Sequence, residues 1–191
     1  MIVRNKIFSE TDTNGHDFYG YIFESCKFVG ITLKFTNFSK CTFKSCDFSE
    51  SFLDLASFSE CKFPDSKLSS LDFANTSLYA CDFDGAVAEN CIFQKLKGSN
   101  KSALKKFILK SCNFSGARLE RSVFVFCDLE DVSFENSDLT GAIFERCSLK
   151  GTDFKRAKIE GVGFKDSKIS DTILDIDGFV NYGTSQGFKL D

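Results

Sequence analysis

From Cys112 to Leu174 the chain can be written in fives: CNFSG ARLER SVFVF CDLED VSFEN SDLTG AIFER CSLKG TDFKR AKIEG VGFKD SKISD, then Thr172-Ile173-Leu174. The third place of every five is a large apolar residue, alternating Phe with Leu or Ile, and the place two before it holds Cys, Ala, Ser, Thr or Val. Neither the 3.6-residue period of a helix nor an unbroken two-residue strand period gives this spacing. Residues two apart on an extended segment point the same way, so the small residue (i−2) and the apolar centre (i) both face inward. The two residues that follow must turn the chain. Four such corners close a square coil in twenty residues, and successive coils stack about 4.8 Å apart as a parallel solenoid.

Charges twenty apart become neighbours on adjacent coils, where like signs are unfavourable. Within the repeats there are fifteen opposite-sign pairs at this spacing and none of like sign. Arg4/Glu24, Lys27/Asp47, Lys40/Glu60, Lys62/Asp82, Arg118/Asp138, Asp138/Lys158, Glu135/Lys155 and Lys155/Asp175 are among them. At spacing fifteen, which a three-sided coil would favour, opposite and like pairs come out even. The pattern predicts a four-sided, all-β solenoid of about eight coils. The ladder sets register, since an exposed ion pair contributes only about 0–1 kcal/mol.

Taken in order, residues 1–15 are expected to start or cap the first coil, with Phe8 in register and Thr13 out of it. A first block, 16–94, has centres from Phe18 to Phe93, with the undersized Ala88 among them. Tyr21, Ile31 and Leu71 are large for the i−2 place and predict local distortion there. His16, the one histidine, falls at an inward place and reads as part of the cap. Residues 95–103 break the register and read as a projecting turn. Centres resume at Leu104 and Leu109, eleven residues after Phe93 rather than ten, so at least one residue is inserted. The second block is 104–174, and Phe107 is large for its i−2 place. Residues 175–191 leave the repeat, with Asp175 or Asp177 as a helix cap and Ile176, Phe179, Val180, Phe188 and Leu190 as apolar members. That tail closes the last coil or joins two chains, the second being the stronger reading.

Composition changes the picture in three places. All nine cysteines occupy the i−2 place and so read as small buried residues rather than as disulfide or metal partners. Net charge is −5 over 1–94, +6 over 95–110 and −4 over 111–191, so Lys95, Lys97, Lys101, Lys105, Lys106 and Lys110 interrupt an acidic rod. Such a loop, with Gly98, Ser99 and Asn100 at its tip, suits contact with an acidic protein surface, whereas phosphate would be repelled by the rod on either side. Exposed apolar columns, Phe35/Leu55 and Val123/Ile143 beside Val125 and Phe126, are further contact candidates. No nucleophile and base pair, phosphate loop or metal spacing appears, so neither catalysis, a cofactor nor a small-molecule substrate is expected. The absence of an export signal or a long apolar run points to a cytoplasmic protein with no membrane contact.

CDLED, SDLTG, TDFKR, CDFSE and LDFAN match the motif A(D/N)LXX, and over residues 16–174 the chain resembles the pentapeptide-repeat family. The resemblance implies a right-handed quadrilateral parallel β-helix. Its size, single register break and apolar tail are similar to the quinolone-resistance and topoisomerase-poison immunity members. Those are non-enzymatic rods, paired through their C-termini, that imitate duplex DNA and protect DNA gyrase or topoisomerase IV from inhibitors. By that resemblance residues 95–103 correspond to a protection loop and Ile176 to Leu190 to the contact of a homodimer. The carboxylates outside the ladder, Asp65, Asp72, Asp84, Glu120, Asp128 and Asp131, are then the phosphate mimics. The competing expectation is a structural or adaptor rod with an unrelated protein partner.

Overall fold

The computed structural model describes residues 1–95 and 105–189. It is an all-β quadrilateral solenoid with a short C-terminal helix. Its four walls, A to D, recur in that order along the chain, and within each block a step up a wall is typically a parallel pairing between residues twenty apart. On wall A, Phe23 pairs with Val3 below and Phe43 above; on wall D, Phe38 pairs with Phe18 and Phe58.

The interior is a set of columns. Wall B stacks Phe8, Phe28, Phe48, Leu68, Ala88, Leu119, Leu139 and Ile159, all buried. Wall A stacks Phe23, Phe43, Phe63, Phe83, Phe114, Phe134 and Phe154, with successive ring centroids 4.8–5.2 Å apart. In the second block the Phe columns of walls A and C face each other edge to face, as in Phe114 and Phe124 at 5.9 Å, and walls B and D carry the aliphatic columns. Each such side chain contributes roughly 1.5–3 kcal/mol on burial, which makes this interior the principal source of stability.

The corners explain the other places of the motif. The residue at i+2 lies in the left-handed region almost throughout, from Ser25 (φ 53) to Asp171 (φ 53), and glycine serves at Gly85, Gly116 and Gly151 among others. The Asp or Asn at i−1 accepts a hydrogen bond from the amide of i+1: Asp47 from Ser49 (2.9 Å), Asp72 from Ala74 (2.8 Å) and Asp153 from Lys155 (2.9 Å). Asp and Asn recur there because a short carboxylate or amide can bend back onto its own turn.

Between the blocks the partners are thirty-one apart: Asp82 with Asn113, Val87 with Arg118 and Ile92 with Val123. The insertion, expected to be at least one residue, is therefore eleven, and Leu109 is the next inward centre after Phe93 among the described residues. Leu104, expected as a centre, lies outside the described residues. Phe107 does occupy the i−2 place, fully buried and paired with Cys127. The coil continues through the joint without changing phase.

Both ends depart from expectation. Thr13 is in register after all: it is 0% exposed, below Leu33, at the end of the short helix α1 (Glu10–Thr13). Its hydroxyl is placed against the Ser9 carbonyl at 3.2 Å, which is how a polar residue is accommodated in an apolar column. His16 is exposed rather than inward, its Nδ1 3.1 Å from the Asn14 carbonyl. At the other end α2 (Ile176–Ser185) is capped by Asp175, whose Oδ1 accepts from the Gly178 amide at 2.7 Å and whose Oδ2 accepts from the Arg156 amide at 2.6 Å. Tyr182 of α2 meets the Phe164 ring edge-on at 5.5 Å, leaving the expected centre Ile169 59% exposed because no coil lies above it. Among the described residues no helix is long and apolar enough to cross a membrane.

Candidate interaction surfaces

The joint between blocks is built around Lys95. It stands in the corner column between walls C and D that runs Phe35, Leu55, Asn75, Lys95, Phe126. Its Nζ donates to the Thr76 carbonyl and lies 4.6 Å from the centre of the Phe107 ring. Burial of the ammonium lowers its pKa. Walls A, B and C are bonded across the joint, through the Phe83, Ala88 and Val123 amides, while on wall D a recess separates Tyr79 from Ile108 and Lys110. Lys105, Lys106 and Lys110 are exposed around it. Lys97, Gly98, Ser99, Asn100 and Lys101 lie outside the described residues.

The six carboxylates nominated as an acidic face are spread over the whole girth of the rod. Asp65 and Asp84 lie at the corner of walls A and B, Glu120 on wall B, Asp72 on wall C, Asp128 on wall D and Asp131 at the corner of D and A. Several have local roles. Asp72 and Asp128 accept from their own turns, and Asp65 and Asp131 lean over Gly85 and Gly151 of the next coil, glycines that leave room for them. Glu120 stacks on Glu89 across the joint, and Arg118 bridges the two. Its second oxygen, Oε2, is buried without a partner among the described residues.

Of the fifteen laddered pairs, Arg4/Glu24, Lys40/Glu60, Lys62/Asp82 and Asp138/Lys158 close to ion-pair distance. Elsewhere the long side chains choose other partners: Arg156 reaches diagonally to Glu135, and Lys155 reaches Asp153 of its own turn at 2.9 Å. Backbone register keeps the remaining opposite charges adjacent, as with Lys27 and Asp47.

The C-terminal end carries the densest apolar exposure. Ile176 is 82% exposed, Phe179 70% and Phe188 73%, with Ile169 and Ile173 beside them and Val180 half-buried. Leu190 lies outside the described residues. The sequence reading missed Tyr182, which docks the helix, and Phe52 on wall C, 66% exposed at an i−1 place where polar residues are usual. Its position in the five was the available signal.

All nine thiols are buried and unpaired as disulfides. Burial pushes Cys46 and Cys91 up to about 12. Among the described residues no group of three or more His, Cys, Asp or Glu side chains is placed to hold a metal ion.

Profiles of known families agree with this geometry. Residues 23–54 and 56–94 match pentapeptide repeats, and residues 99–174 match a pentapeptide repeat region. The chain belongs to the pentapeptide-repeat family. Among solved structures, this pentapeptide-repeat protein superposes on a trypsin-treated variant of QnrB1, a plasmid-mediated fluoroquinolone resistance protein, with a TM-score of 0.68 at 17% identity, covering 100% of this chain and 99% of that one. Full-length QnrB1 gives 0.48 at 20% identity over 98% and 97% of the two chains. HetL, a pentapeptide-repeat protein involved in heterocyst differentiation regulation in the cyanobacterium Nostoc sp. strain PCC 7120, gives 0.34 at 21% identity over 93% and 90%. Among curated proteins, none matches this sequence. At 17% identity the first of these superpositions speaks to fold alone.

Proposed function

We propose that this protein is a non-enzymatic rod that binds a type II topoisomerase, DNA gyrase or topoisomerase IV, and protects it from inhibitors such as fluoroquinolones. The observation that carries the reading is architectural. An end-to-end match to a fluoroquinolone resistance protein coincides with one insertion, of eleven residues, at the joint and an apolar helical end on the second block. In this reading the basic segment around Lys95, Lys105 and Lys106 contacts the enzyme, and Ile176, Phe179, Val180 and Phe188 pair two chains end to end. Exposure of Ile176 and Phe179 on a ten-residue helix, with Phe188 just beyond its end, exceeds what sealing one coil requires, which supports a second copy as their cover. The spread of carboxylates over all walls favours recognition by loop and end over a single phosphate-like face.

The test is gyrase supercoiling in the presence of a fluoroquinolone, with this protein titrated over a wide range. Recovery of supercoiling is expected, and deletion of 96–101 is expected to remove it. If supercoiling neither recovers nor falls at any concentration, the topoisomerase reading fails and an adaptor rod with another partner takes its place. Sedimentation addresses the pairing separately: the wild type is expected as a dimer and Phe179→Asp as a monomer.

A further inference from the structure

Among the described residues wall C is interrupted once. Thr32 pairs with Phe52 and Asp72 pairs with Ile92, but Phe52 and Asp72, one coil apart, do not pair. The register would place bonds from the Leu53 and Leu55 amides to the Asp72 and Ala74 carbonyls, and from the Asp72 amide to the Ser51 carbonyl. None of these forms, although walls A, B and D stay bonded between the same two coils. The opening coincides with Leu71, a large residue buried at an i−2 place that on this wall is Ser51 one coil below and Cys91 one coil above. It leaves a cleft of about 350 Å³ between the two lips, inside the range of roughly 300–1,000 Å³ usual for ligand sites.

Three properties define what fits there. The lips present unpaired backbone donors and acceptors, as a sheet edge does. Phe52 on the lower lip, with Leu55 and Phe35 at the adjacent corner, exposes 66%, 50% and 52% of its surface in turn. Glu50, Asp54 and Asp72 line the cleft from both sides, and among the described residues the side-chain carboxylates of Glu50 and Asp54 have no ion-pair or hydrogen-bond partner. Of the nearby cations, Lys34 lies 5.7 Å from the Phe35 ring centre and Lys95 is tied to the Thr76 carbonyl.

We propose that this open rung is a docking site for an extended segment of a partner protein that carries a Lys or Arg beside an apolar side chain. The segment pairs its main chain with a lip in the manner of an added strand, sets its apolar side chain against Phe52 and Leu55, and places its cation between Asp54 and Glu50. Carboxylates on both lips select against nucleic acid. The site is separate from the joint and from the C-terminal end, so it does not depend on the topoisomerase reading.

The probe is a fluorescein-labelled acetylated pentapeptide, Val-Lys-Phe-Lys-Val, followed by anisotropy, with two companions: Val-Glu-Phe-Glu-Val, and the lysine peptide N-methylated along its backbone. The lysine peptide is expected to bind, the glutamate peptide not to bind, and the N-methylated peptide to bind at least about tenfold more weakly. The double variant Glu50→Lys with Asp54→Lys, whose far-UV circular dichroism is expected to match the wild type, loses at least as much. Phe52→Thr, which reproduces the residue at Thr32 one coil below, provides an apolar-side test with the same expected direction. Equal affinity of the double variant or of the N-methylated peptide overturns the proposal, and so does failure of the lysine peptide to bind the wild-type protein.

Discussion

Truncating Phe114 separates a continuous rod from two joined blocks. Its ring is fully buried, stacked between Phe83 at 4.8 Å and Phe134 at 5.1 Å, and meets Phe93 and Phe124 edge-on at 5.6 and 5.9 Å. Phe134 has nearly the same surroundings one coil higher, with Phe114 and Phe154 at 5.1 and 5.2 Å and edge-on partners at 5.8 and 5.6 Å. Replacing either by Ala removes a comparable amount of packing, about 3–5 kcal/mol, a large share of the roughly 5–15 kcal/mol by which a domain is stable. The consequences differ because solenoid cooperativity passes only between neighbouring coils. Phe114 lies in the coil that joins the blocks, where wall D is already open. Phe134 lies where all four walls are bonded. We therefore expect Phe114→Ala to unfold in two steps and Phe134→Ala in one. Urea titrations read by far-UV circular dichroism and by tyrosine fluorescence check this, since Tyr19, Tyr21 and Tyr79 are in the first block and only Tyr182 is in the tail. Coincident transitions for Phe114→Ala, or equal splitting in both variants, would refute the argument.

Other consequences follow from single contacts. A Cβ at Gly151 would collide with Asp131 Oδ1, whereas one at Gly30, at nearly the same φ, meets nothing within 4 Å. Gly151→Ala should therefore lower the melting temperature by several degrees more than Gly30→Ala, each kcal/mol being roughly 2–4 °C at this size; equal shifts would show that the carboxylate simply moves aside. Asp175 is held below its usual 3.8 by the Gly178 amide first and the Arg156 amide second. Its stabilisation is complete above the unfolded value and is lost as pH falls below 3.8 through the folded one. Hydrogen exchange at Gly178 should accelerate in that acid range in the wild type, and Asp175→Asn should be indifferent to it. Cys46 and Cys91 should stay unreactive toward Ellman's reagent at pH 8 until the protein is unfolded, and rapid labelling of either would contradict their enclosure.

Most of the fold was legible because each five-residue unit repeats one environment: i−2 and i inward, i−1 capping the turn, i+2 in the left-handed region. What escaped the reading lies where a residue's surroundings differ from that average. Thr13 is polar in an apolar column, and the Ser9 and Glu10 carbonyls that its hydroxyl reaches make the place suitable. Ile169 has the right spacing but no coil above it. Leu104 continued the five-residue rhythm on paper, while the pairing of Phe93 with Phe124 and of Cys127 with Phe107 shows a longer insertion. Charge signs predicted the register, yet Arg118 turned to Glu89 and Glu120 rather than Asp138, and Lys155 to Asp153 rather than Glu135, because long side chains have that freedom. Leu71 was recognisable as oversized, but spacing alone does not say which rung opens.

The constant step of twenty turns residue number into position. Adding twenty moves a side chain up by about 4.8 Å with no rotation of azimuth, and the eleven extra residues at the joint leave that address system aligned, since Phe93 sits directly beneath Phe124 at 4.6 Å. A segment added at a corner thus hangs outside the lattice and need not disturb the coordinates of any residue beyond it. A single residue added within a wall would shift every later address by one. Such a rod can gain or lose appendages at its corners while the spacing of groups along its sides stays fixed like the marks of a ruler.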